Sequence, residues 1–370
     1  VERSRGLGDV YKRQQLAGTS ISTVSRVLND PTHTCNNPEL YDRIWRIAGE
    51  LNYTPNHAAR NLRLGEEKKA SPFKVDVFLT RFHSLESDVF FMELFQIIRE
   101  ELLAADCVFG ELLTNIDIMN LGRKEKEQKH IPYRSSQALL EENLQNTVSF
   151  ITKKPDTGLV ILGKCPEQLI PILQKRYDYV VGIDRNPTSY LYDEVVCDGA
   201  TAAEMALEYL ISLGHKNIAY IGDCTYEARY VGYYQTLLKH KLPLNYKNVY
   251  PTGQTQAEGT QVMLSILKEE KRPSAIFCAN DTTAIGVLEA LKKRKHRGYM
   301  PSIVSIDNIE MAQRTSPMLT SIDIPKREMG HLAILTLLDR RNGYHEKNVR
   351  IELPCRLVKR ESCRPVGTLS

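Results

Sequence analysis

Apolar residues in the N-terminal part of the chain recur at the spacing of short helices. One predicted helix has its apolar face at Ile21, Val24, Val27 and Leu28, and a second has its face at Leu40, Ile44, Ile47, Ala48 and Leu51. Ser20 is the predicted N-cap of the first helix, and Asn29-Asp30-Pro31 ends it. Thr54-Pro55 opens a third short helical stretch over residues 56–64, and a polar linker follows from Gly65 to Pro72.

From Lys74 onwards, apolar runs typical of strands alternate with amphipathic helices, which indicates parallel sheets with crossover helices. Strands are predicted at Val75–Leu79, Val108–Leu112, Leu159–Leu162, Tyr179–Ile183, Ile218–Ile221, Ala275–Cys278 and Ile303–Ile306. Helices are predicted at Phe90–Ala105, Gln137–Thr152, Ala200–Leu213, Arg229–Lys241, Gln256–Lys268, Thr282–Lys295 and Lys326–Arg340. Asn115 to Arg134 is predicted to be a polar surface excursion. The number of βαβ units predicts an α/β domain of two lobes.

Composition excludes some classes of protein and leaves others open. The 370 residues are 42% hydrophobic and carry a net charge of +4, which is typical of a globular protein. Lys12 to Gly65 holds seven Lys/Arg against four Asp/Glu, a balance that suits an anionic partner. The eight cysteines are scattered without CxxC spacing, which favours reduced thiols in the cytoplasm over a disulfide frame or a zinc site. No apolar run reaches about 18 residues, and Val1–Gly8 does not have the pattern of a signal peptide.

The outer face of the first predicted helix carries side chains that can contact DNA. Short donors and one forked cation share this face: Ser20, Ser22, Thr23, Ser25, Arg26 and Asn29. Such a face can enter a major groove, donate hydrogen bonds to phosphates and present Arg26 to a guanine edge. From periodicity alone, a solvated helix face is an equally good interpretation.

Two motifs resemble the lactose/galactose repressor (LacI/GalR) family. Leu16-Ala-Gly-Thr-Ser-Ile-Ser-Thr-Val-Ser-Arg-Val-Leu-Asn29 is similar to its helix-turn-helix, and Asn52-Tyr-Thr-Pro-Asn-His-Ala-Ala-Arg-Asn-Leu62 to its hinge helix. The resemblance implies that Ile21, Ser22 and Arg26 face base edges. It implies phosphate contacts for Ser20, Thr23, Ser25, Asn29 and Asn56. Leu62 would wedge into the minor groove of operator DNA, with Ala59 allowing close approach and Arg60 and Arg63 beside it; the alternative for Leu62 is a linker residue packed on the core.

The start of the chain departs from the family pattern. Arg13 and Gln14 occupy places where the family has an apolar residue and an Ala, and Asp9-Val10-Tyr11-Lys12 resembles the expected start displaced by a few residues. An insertion of this size within a helix would break its period. We therefore hypothesise that residues 1–14 are not native sequence.

The remainder of the chain, out to about Arg360, resembles the family's sensor domain, which is like a periplasmic sugar-binding protein. The matching segments are Val180–Arg185, Leu213–Gly222, Arg229–Gly232, Ala279–Gly286 and Ile306–Asn308. The resemblance implies that Asp184, Arg229, Asn280 and Asp307 line an effector cleft, where their polar groups would suit sugar hydroxyls. Phe90 or Phe91 would provide a stacking surface. Strand-end caps or ion pairs are the alternative roles for the two aspartates.

These observations predict an all-α helix-turn-helix headpiece followed by a two-lobed, periplasmic-binding-protein-like α/β domain with parallel sheets. The predicted bounds are 1–53 for the headpiece, 54–71 for hinge and linker, 72–196 with 325–348 for the N-lobe, 197–324 with 349–360 for the C-lobe, and 361–370 for a tail. The tail has no leucine heptads, which predicts a homodimer without a tetramer-forming helix.

The resemblance implies a cytoplasmic DNA-binding repressor released from operator DNA by a small sugar. A purine or sugar-phosphate co-repressor, or a ligand-binding protein without DNA activity, remains an alternative. An enzyme is the weaker class, because Gly158–Cys165 resembles a phosphate loop but has a strand-forming centre and ends in Cys. We expect neither a metal nor a cofactor.

Overall fold

The computed structural model describes residues 19–20, 23–24, 27, 37–50, 72–80, 88–114, 152–225, 227–293 and 299–367. The chain divides into two compact units, Val1–Ser71 and Pro72–Ser370. Several predictions lie outside the described residues: the hinge helix over 56–64, the linker that follows it, the excursion over 115–134 and nearly all of the helix over 137–152.

The small N-terminal unit is held together by the apolar faces predicted from its sequence. Val24 and Val27 are buried against Ile44 and Ile47 of helix α1 (Pro38–Glu50), and Leu40 packs on the same cluster. Ser20 is the N-cap, because its Oγ accepts a hydrogen bond from the Thr23 amide at 3.1 Å. The two helical faces and the cap are therefore confirmed at the positions that are described.

The large unit contains two sheets, each the centre of one lobe. Its strands are β1 (Lys74–Leu79), β2 (Val108–Thr114), β3 (Lys154–Leu162), β4 (Tyr177–Asp184), β5 (Asp193–Val196), β6 (Ile218–Gly222), β7 (Val249–Pro251), β8 (Ala275–Cys278), β9 (Ser302–Asp307), β10 (Thr320–Asp323), β11 (Arg350–Glu352) and β12 (Arg356–Val358). The first sheet has the order β11-β5-β4-β3-β1-β2 and the second β12-β10-β9-β8-β6-β7. All pairs are parallel except β10 with β12, which are antiparallel.

Helices cover both sheets, as crossover connections between parallel strands require. They are α2 (Val89–Ala104), α3 (Ile170–Arg176), α4 (Gly199–Ser212), α5 (Ala228–Lys239), α6 (Gln256–Ile266), α7 (Asp281–Lys293) and α8 (Lys326–Arg341), with 3₁₀ turns at Glu167–Leu169, Tyr246–Asn248 and Glu310–Gln313. Within these described ranges, no helix is both long enough and apolar enough to cross a membrane.

The predicted strands and the predicted helices that fall in described residues are confirmed. The elements that were not predicted from the sequence are all short. Five strands of three or four residues (β5, β7, β10, β11 and β12) and the seven-residue α3 showed no clear period. The first five residues of the segment that resembles a phosphate loop, Gly158 to Leu162, belong to β3, where Leu159 to Leu162 are fully buried. That agrees with its interpretation as a strand.

The chain passes between the two lobes at three crossovers: after β5, after β10 and after β11. The first two lie at the predicted boundaries near residues 196 and 324. The third was placed too early, at residue 348. Ile351 pairs with Val195 in the first sheet, so the chain crosses only at residues 353–355. The error arises because β11 is a three-residue edge strand without a pattern of its own.

Two glycines of the family-like motifs allow close helix packing in the second lobe. A Cβ on Gly232 of α5 would overlap the backbone oxygen of Ala200 in α4. A Cβ on Gly286 of α7 would overlap the backbone oxygen of Gln256 in α6. These glycines are therefore required by contacts between backbones.

We expect Gly286→Ala to lower the free energy of unfolding by about 1–3 kcal/mol, because backbone atoms of α6 must move to admit the methyl group. Gly330→Ala in α8 is the matched control, since its Cβ would meet side chains and no backbone: Ile97 Cγ2 at 2.7 Å and Ile98 Cγ1 at 3.9 Å. Alanine is more favourable than glycine within a helix by about 1 kcal/mol, which should offset most of the cost of that contact. Urea denaturation measures the free energy of unfolding of both variants. Equal losses of stability in Gly286→Ala and Gly330→Ala would contradict the requirement for a glycine at the backbone contact.

Candidate effector site and DNA-binding surface

The candidate effector residues lie just after the carboxyl ends of parallel strands. Asp184 ends β4, Asp307 ends β9, and Asn280 lies between β8 and α7. Arg229 is in the first turn of α5, which follows β6. In open α/β sheets, ligands bind in the crevice at these strand ends. The two lobes therefore present the candidate residues from equivalent edges of their sheets.

Arg229 organises the second lobe's side of the cleft. Its side chain is 1% exposed, and Nε donates to Glu227 Oε1 at 2.7 Å. Nη1 donates to the Ala279 backbone oxygen at 2.6 Å, and Nη2 to Gln254 Oε1 at 3.0 Å. Burial alone would lower the pKa of Arg229, but the charge of Glu227 reverses the effect and the pKa is raised. Arg229 is thus a fixed cation that orients two other polar side chains.

The Asn280 side chain makes two hydrogen bonds to backbone groups, one of them to Gln254. Its Oδ1 accepts a hydrogen bond from the Thr283 amide at 3.0 Å, which caps α7. Its Nδ2 donates to the Gln254 backbone oxygen at 3.1 Å. Gln254 is 2% exposed, and its Nε2 has no hydrogen-bond partner among the described residues.

Arg185 and Asp307 bridge the two lobes across the cleft. The Arg185 guanidinium, which follows β4, donates from Nη1 to Oδ1 of Asp307 at the end of β9. Both side chains are buried, and the guanidinium carbon lies 4.4 Å from the centre of the Phe90 ring. Burial raises the pKa of Asp307, while Arg185 and Arg229 act to lower it.

Of the two phenylalanines expected to offer a stacking surface, Phe90 lies against protein cations. The Arg185 guanidinium lies over the Phe90 ring, and the Lys326 ammonium lies 5.5 Å from the centre of that ring. Lys326 also contacts both lobes, with Glu93 Oε2 at 3.0 Å in α2 and the Asp307 backbone oxygen at 2.8 Å. Phe91 is 2% exposed and belongs to the core of the first lobe, where it faces Gly163.

Two carboxylates in this region each have one buried oxygen without a hydrogen-bond partner among the described residues. Asp184 Oδ2 and Glu227 Oε2 make no hydrogen bond to any described residue. The two groups are close enough for the charge of Glu227 to raise the pKa of Asp184, although burial is the larger cause and Arg185 opposes it. An unpaired buried carboxylate oxygen costs about 1–3 kcal/mol or more, so this arrangement favours a bound donor.

Four residues of this cluster were not selected from the sequence: Arg185, Glu227, Gln254 and Lys326. Arg185 stood beside Asp184 in a quoted motif, and Lys326 began a predicted helix. Gln254 follows the missed strand β7 and had no local signal. His215 is buried between Ser274, Ser302 and the Arg364 backbone oxygen, outside this cluster.

The DNA-binding surface is described at two of its candidate residues. Ser20 is exposed, and its Oγ lies 2.8 Å from Thr23 Oγ1. The other candidates lie outside the described residues: Ile21, Ser22, Ser25, Arg26, Asn29, Asn56, Ala59, Arg60, Leu62 and Arg63. Ser20 and Thr23 lie at the N-terminus of the helix, where amides and hydroxyls suit phosphate.

Two family models match this chain in the order its architecture suggests. The model for bacterial regulatory proteins of the lacI family matches residues 15–56, and that for a periplasmic binding protein-like domain matches residues 207–363. The chain thus combines a helix-turn-helix domain of the lacI family with a periplasmic binding protein-like domain. It is therefore a DNA-binding transcriptional regulator with an N-terminal helix-turn-helix. The first match begins after residues 1–14, the segment hypothesised to be foreign.

Relatives of this chain align over nearly its whole length. The HTH-type transcriptional repressor PurR of Vibrio parahaemolyticus is 27% identical over 95% of this chain and 98% of its own. The ribose operon repressor of Haemophilus influenzae is 29% identical over 94% and 96%. The regulator NtdR of the Bacillus subtilis NTD biosynthesis operon is 28% identical over 94% and 97%.

Solved structures share the fold. The regulator CelR in complex with cellobiose superposes with a TM-score of 0.62 at 22% identity, covering 96% of this chain and 99% of its own. The lac repressor dimer bound to operator and the anti-inducer ONPF gives 0.60 at 21% identity, covering 95% and 98%. A LacI-family regulator of Enterococcus faecium with bound ribose superposes with a TM-score of 0.60 at 23% identity, covering 79% of this chain and 99% of its own.

Proposed function

We propose that this protein is an operator-binding repressor whose affinity for DNA is controlled by a small, uncharged polyol, a free sugar, bound between the lobes. The observation that carries the proposal is the set of buried polar atoms without partners at the strand ends. Asp184 Oδ2 and Glu227 Oε2 are acceptors, and Gln254 Nε2 is a donor. Relatives named for ribose and solved with ribose or cellobiose support this class of ligand.

The chemistry of these atoms favours a free sugar over a sugar phosphate. A hydroxyl group both donates and accepts, so adjacent hydroxyls can satisfy the carboxylates and the amide together. A phosphate supplies acceptors and negative charge, which the two carboxylates would repel. The nearby cations are already paired, Arg185 with Asp307 and Lys326 with Glu93. A purine base, with both donors and acceptors, is the second candidate.

The bridges between the lobes provide the route from effector to DNA. Arg185–Asp307 and Lys326 join the lobes through contacts between protein groups, so an effector that competes for Asp307 changes which contacts hold the lobes together. The lobe angle would then change the spacing of the paired hinge segments of a homodimer. Linkage requires that operator binding alter effector affinity by the same factor. This scheme has no catalytic step, and we assign the protein no enzymatic activity.

The proposal is tested by selecting operators from random duplexes with the full chain at fixed salt, and then adding ribose, cellobiose, sugar phosphates and purine bases separately. We expect a pseudo-palindromic site to be selected, because a dimer presents two recognition helices. One free sugar should weaken binding by about 5–150-fold, the usual range of allosteric coupling. Release by a purine alone would replace the sugar assignment, and failure to select any site would contradict the repressor assignment once residues 1–14 had been exchanged for a family-like first helix.

A further inference from the structure

Two cysteines lie on two of the three crossovers between the lobes. Cys197 directly follows β5 and precedes Asp198, the N-cap of α4, so it belongs to the first crossover. Cys355 directly precedes β12 and belongs to the third. Neither residue takes part in the effector cluster described above. We call these two residues the crossover thiol pair.

The strands that lead into the two crossovers run side by side. Val195 pairs with Ile351 and Val196 with Glu352, and the Leu353 amide donates to the Val196 oxygen at 2.8 Å. Cys197 is fully buried in the core cluster, and the partly exposed Cys355 packs against that cluster. Because these strands are in register, the two thiols lie near each other, and each shifts the pKa of the other. By contrast, Cys107, Cys165, Cys224 and Cys363 each donate to a backbone oxygen.

The environments of the two thiols give them different roles in oxidation. The hydrogen bond from Cys197 lowers the pKa of Cys355, although burial opposes this. The same contact, together with burial, raises the pKa of Cys197. Cys355 is the thiol of the pair that is partly exposed, and an oxidant attacks the accessible cysteine first.

We propose that the crossover thiol pair is a redox-sensitive modification site, in which hydrogen peroxide converts Cys197 and Cys355 into a disulfide that fixes the angle between the lobes. The Cys355 thiolate attacks peroxide, the O–O bond breaks, and Cys355 sulfenic acid and hydroxide form. The Cys197 thiol then attacks the sulfenic sulfur, water leaves, and the S–S bond forms. Two thiols are oxidised and one peroxide is reduced; a cellular thiol reverses the reaction by exchange.

The disulfide would join two of the three crossovers, about which the lobes must move. Its effect on effector response rests on the proposed function, because a fixed lobe angle prevents an effector from altering hinge spacing. The effect of the disulfide on lobe opening does not depend on the proposed function. The Ala228 amide reports opening directly, since it donates across the cleft to Asn186 Oδ1 at 2.9 Å.

The test treats reduced full-length protein with hydrogen peroxide, then alkylates it and maps its peptides by mass spectrometry. We expect a Cys197–Cys355 crosslink, reversed by dithiothreitol, in the wild type and in Cys363→Ser, the control for a partly exposed cysteine. Cys355→Ser and Cys197→Ser should lack it. The crosslink should raise the midpoint of thermal unfolding by on the order of 10 °C, because it closes a long loop.

Hydrogen exchange at Ala228 is measured on the same samples, and the crosslinked wild type should exchange about tenfold or more slowly than the reduced protein. Absence of the crosslink, or an equal yield of disulfide in Cys355→Ser, would overturn the modification site. A crosslink that leaves exchange at Ala228 unchanged would overturn the fixed lobe angle. None of these readouts requires DNA or a sugar, so they are independent of the operator selection.

Discussion

Asp184→Asn should weaken binding of the effector by about 10- to 100-fold while making the unliganded protein more stable at pH 7. The substitution keeps the shape of the side chain but removes a buried carboxylate whose Oδ2 has no partner among the described residues. Loss of a hydrogen bond to a charged acceptor costs about 1.5–3 kcal/mol in binding. The unliganded protein gains, because burial disfavours the charge, as the raised pKa of Asp184 shows. Isothermal titration with the effector and urea denaturation measure the two effects.

Asp193→Asn is the matched control, since Asp193 is also a buried aspartate of the first sheet but begins a strand, where Asp184 ends one. Arg340 contacts its carboxylate from Nε at 2.5 Å and from Nη2 at 2.7 Å, and the Val349 amide donates at 2.9 Å. Removing the charge leaves the partly buried Arg340 without its counter-ion, which should cost about 1–3 kcal/mol of stability. Effector affinity should be unchanged. If both variants lost stability and affinity together, the assignment of Asp184 to the site would be wrong.

The pH dependence of stability should also separate these two aspartates. The pKa of Asp184 is raised in the folded protein, so its contribution to stability is greatest below the ordinary pKa of 3.8 and is lost as pH rises through the folded value. Burial opposes the lowering at Asp193, but the hydrogen bonds from Arg340, Val349 and His345 prevail, and its pKa is lowered. Its contribution is therefore present above the ordinary pKa and is lost as pH falls through the folded value. Asp184→Asn should remove the loss of stability as pH rises, and Asp193→Asn should remove the loss of stability as pH falls.

The sequence predicted the long elements of this fold because they repeat a pattern often enough to be recognised. Strands such as β3 and β8 contain continuous apolar runs, and α2 and α8 exceed four turns. Strands such as β7 and β11 have three residues each, and their pairing is fixed by neighbours far away in the chain. Tertiary contacts, rather than local propensity, decide such short strands.

The candidate site was predictable only where a motif carried it. Asp184, Arg229, Asn280 and Asp307 could be selected because each lies in a family-like segment. Gln254 enters the cluster because it is brought to Arg229 from 25 residues away, a relation that no local pattern contains. The lobe bridge from Arg185 to Asp307 spans 122 residues. Sequence therefore identified side chains of suitable chemistry, and the structure shows which of them are already paired with one another.

Arg26→Ala should weaken binding to the selected operator by about 5- to 150-fold and relax the preference at one base pair of each half-site. The motif implies that Arg26 reaches a base edge, where a bidentate contact with guanine is worth about 1–3 kcal/mol of discrimination. Binding to random duplexes should fall much less, because that binding depends mainly on phosphates. Fluorescence anisotropy with operator and random duplexes at two salt concentrations separates these effects.

Arg43→Ala provides the matched loss of one positive charge. Arg43 is exposed on α1, and the family resemblance gives it no base contact. The electrostatic penalty shared by both variants appears in the random-duplex arm and depends on salt, whereas a base contact changes the ratio of operator to random binding. We expect that ratio to fall in Arg26→Ala and to stay constant in Arg43→Ala. Equal ratios in the two variants would mean that Arg26 contributes charge alone, and that specificity comes from other residues of the headpiece.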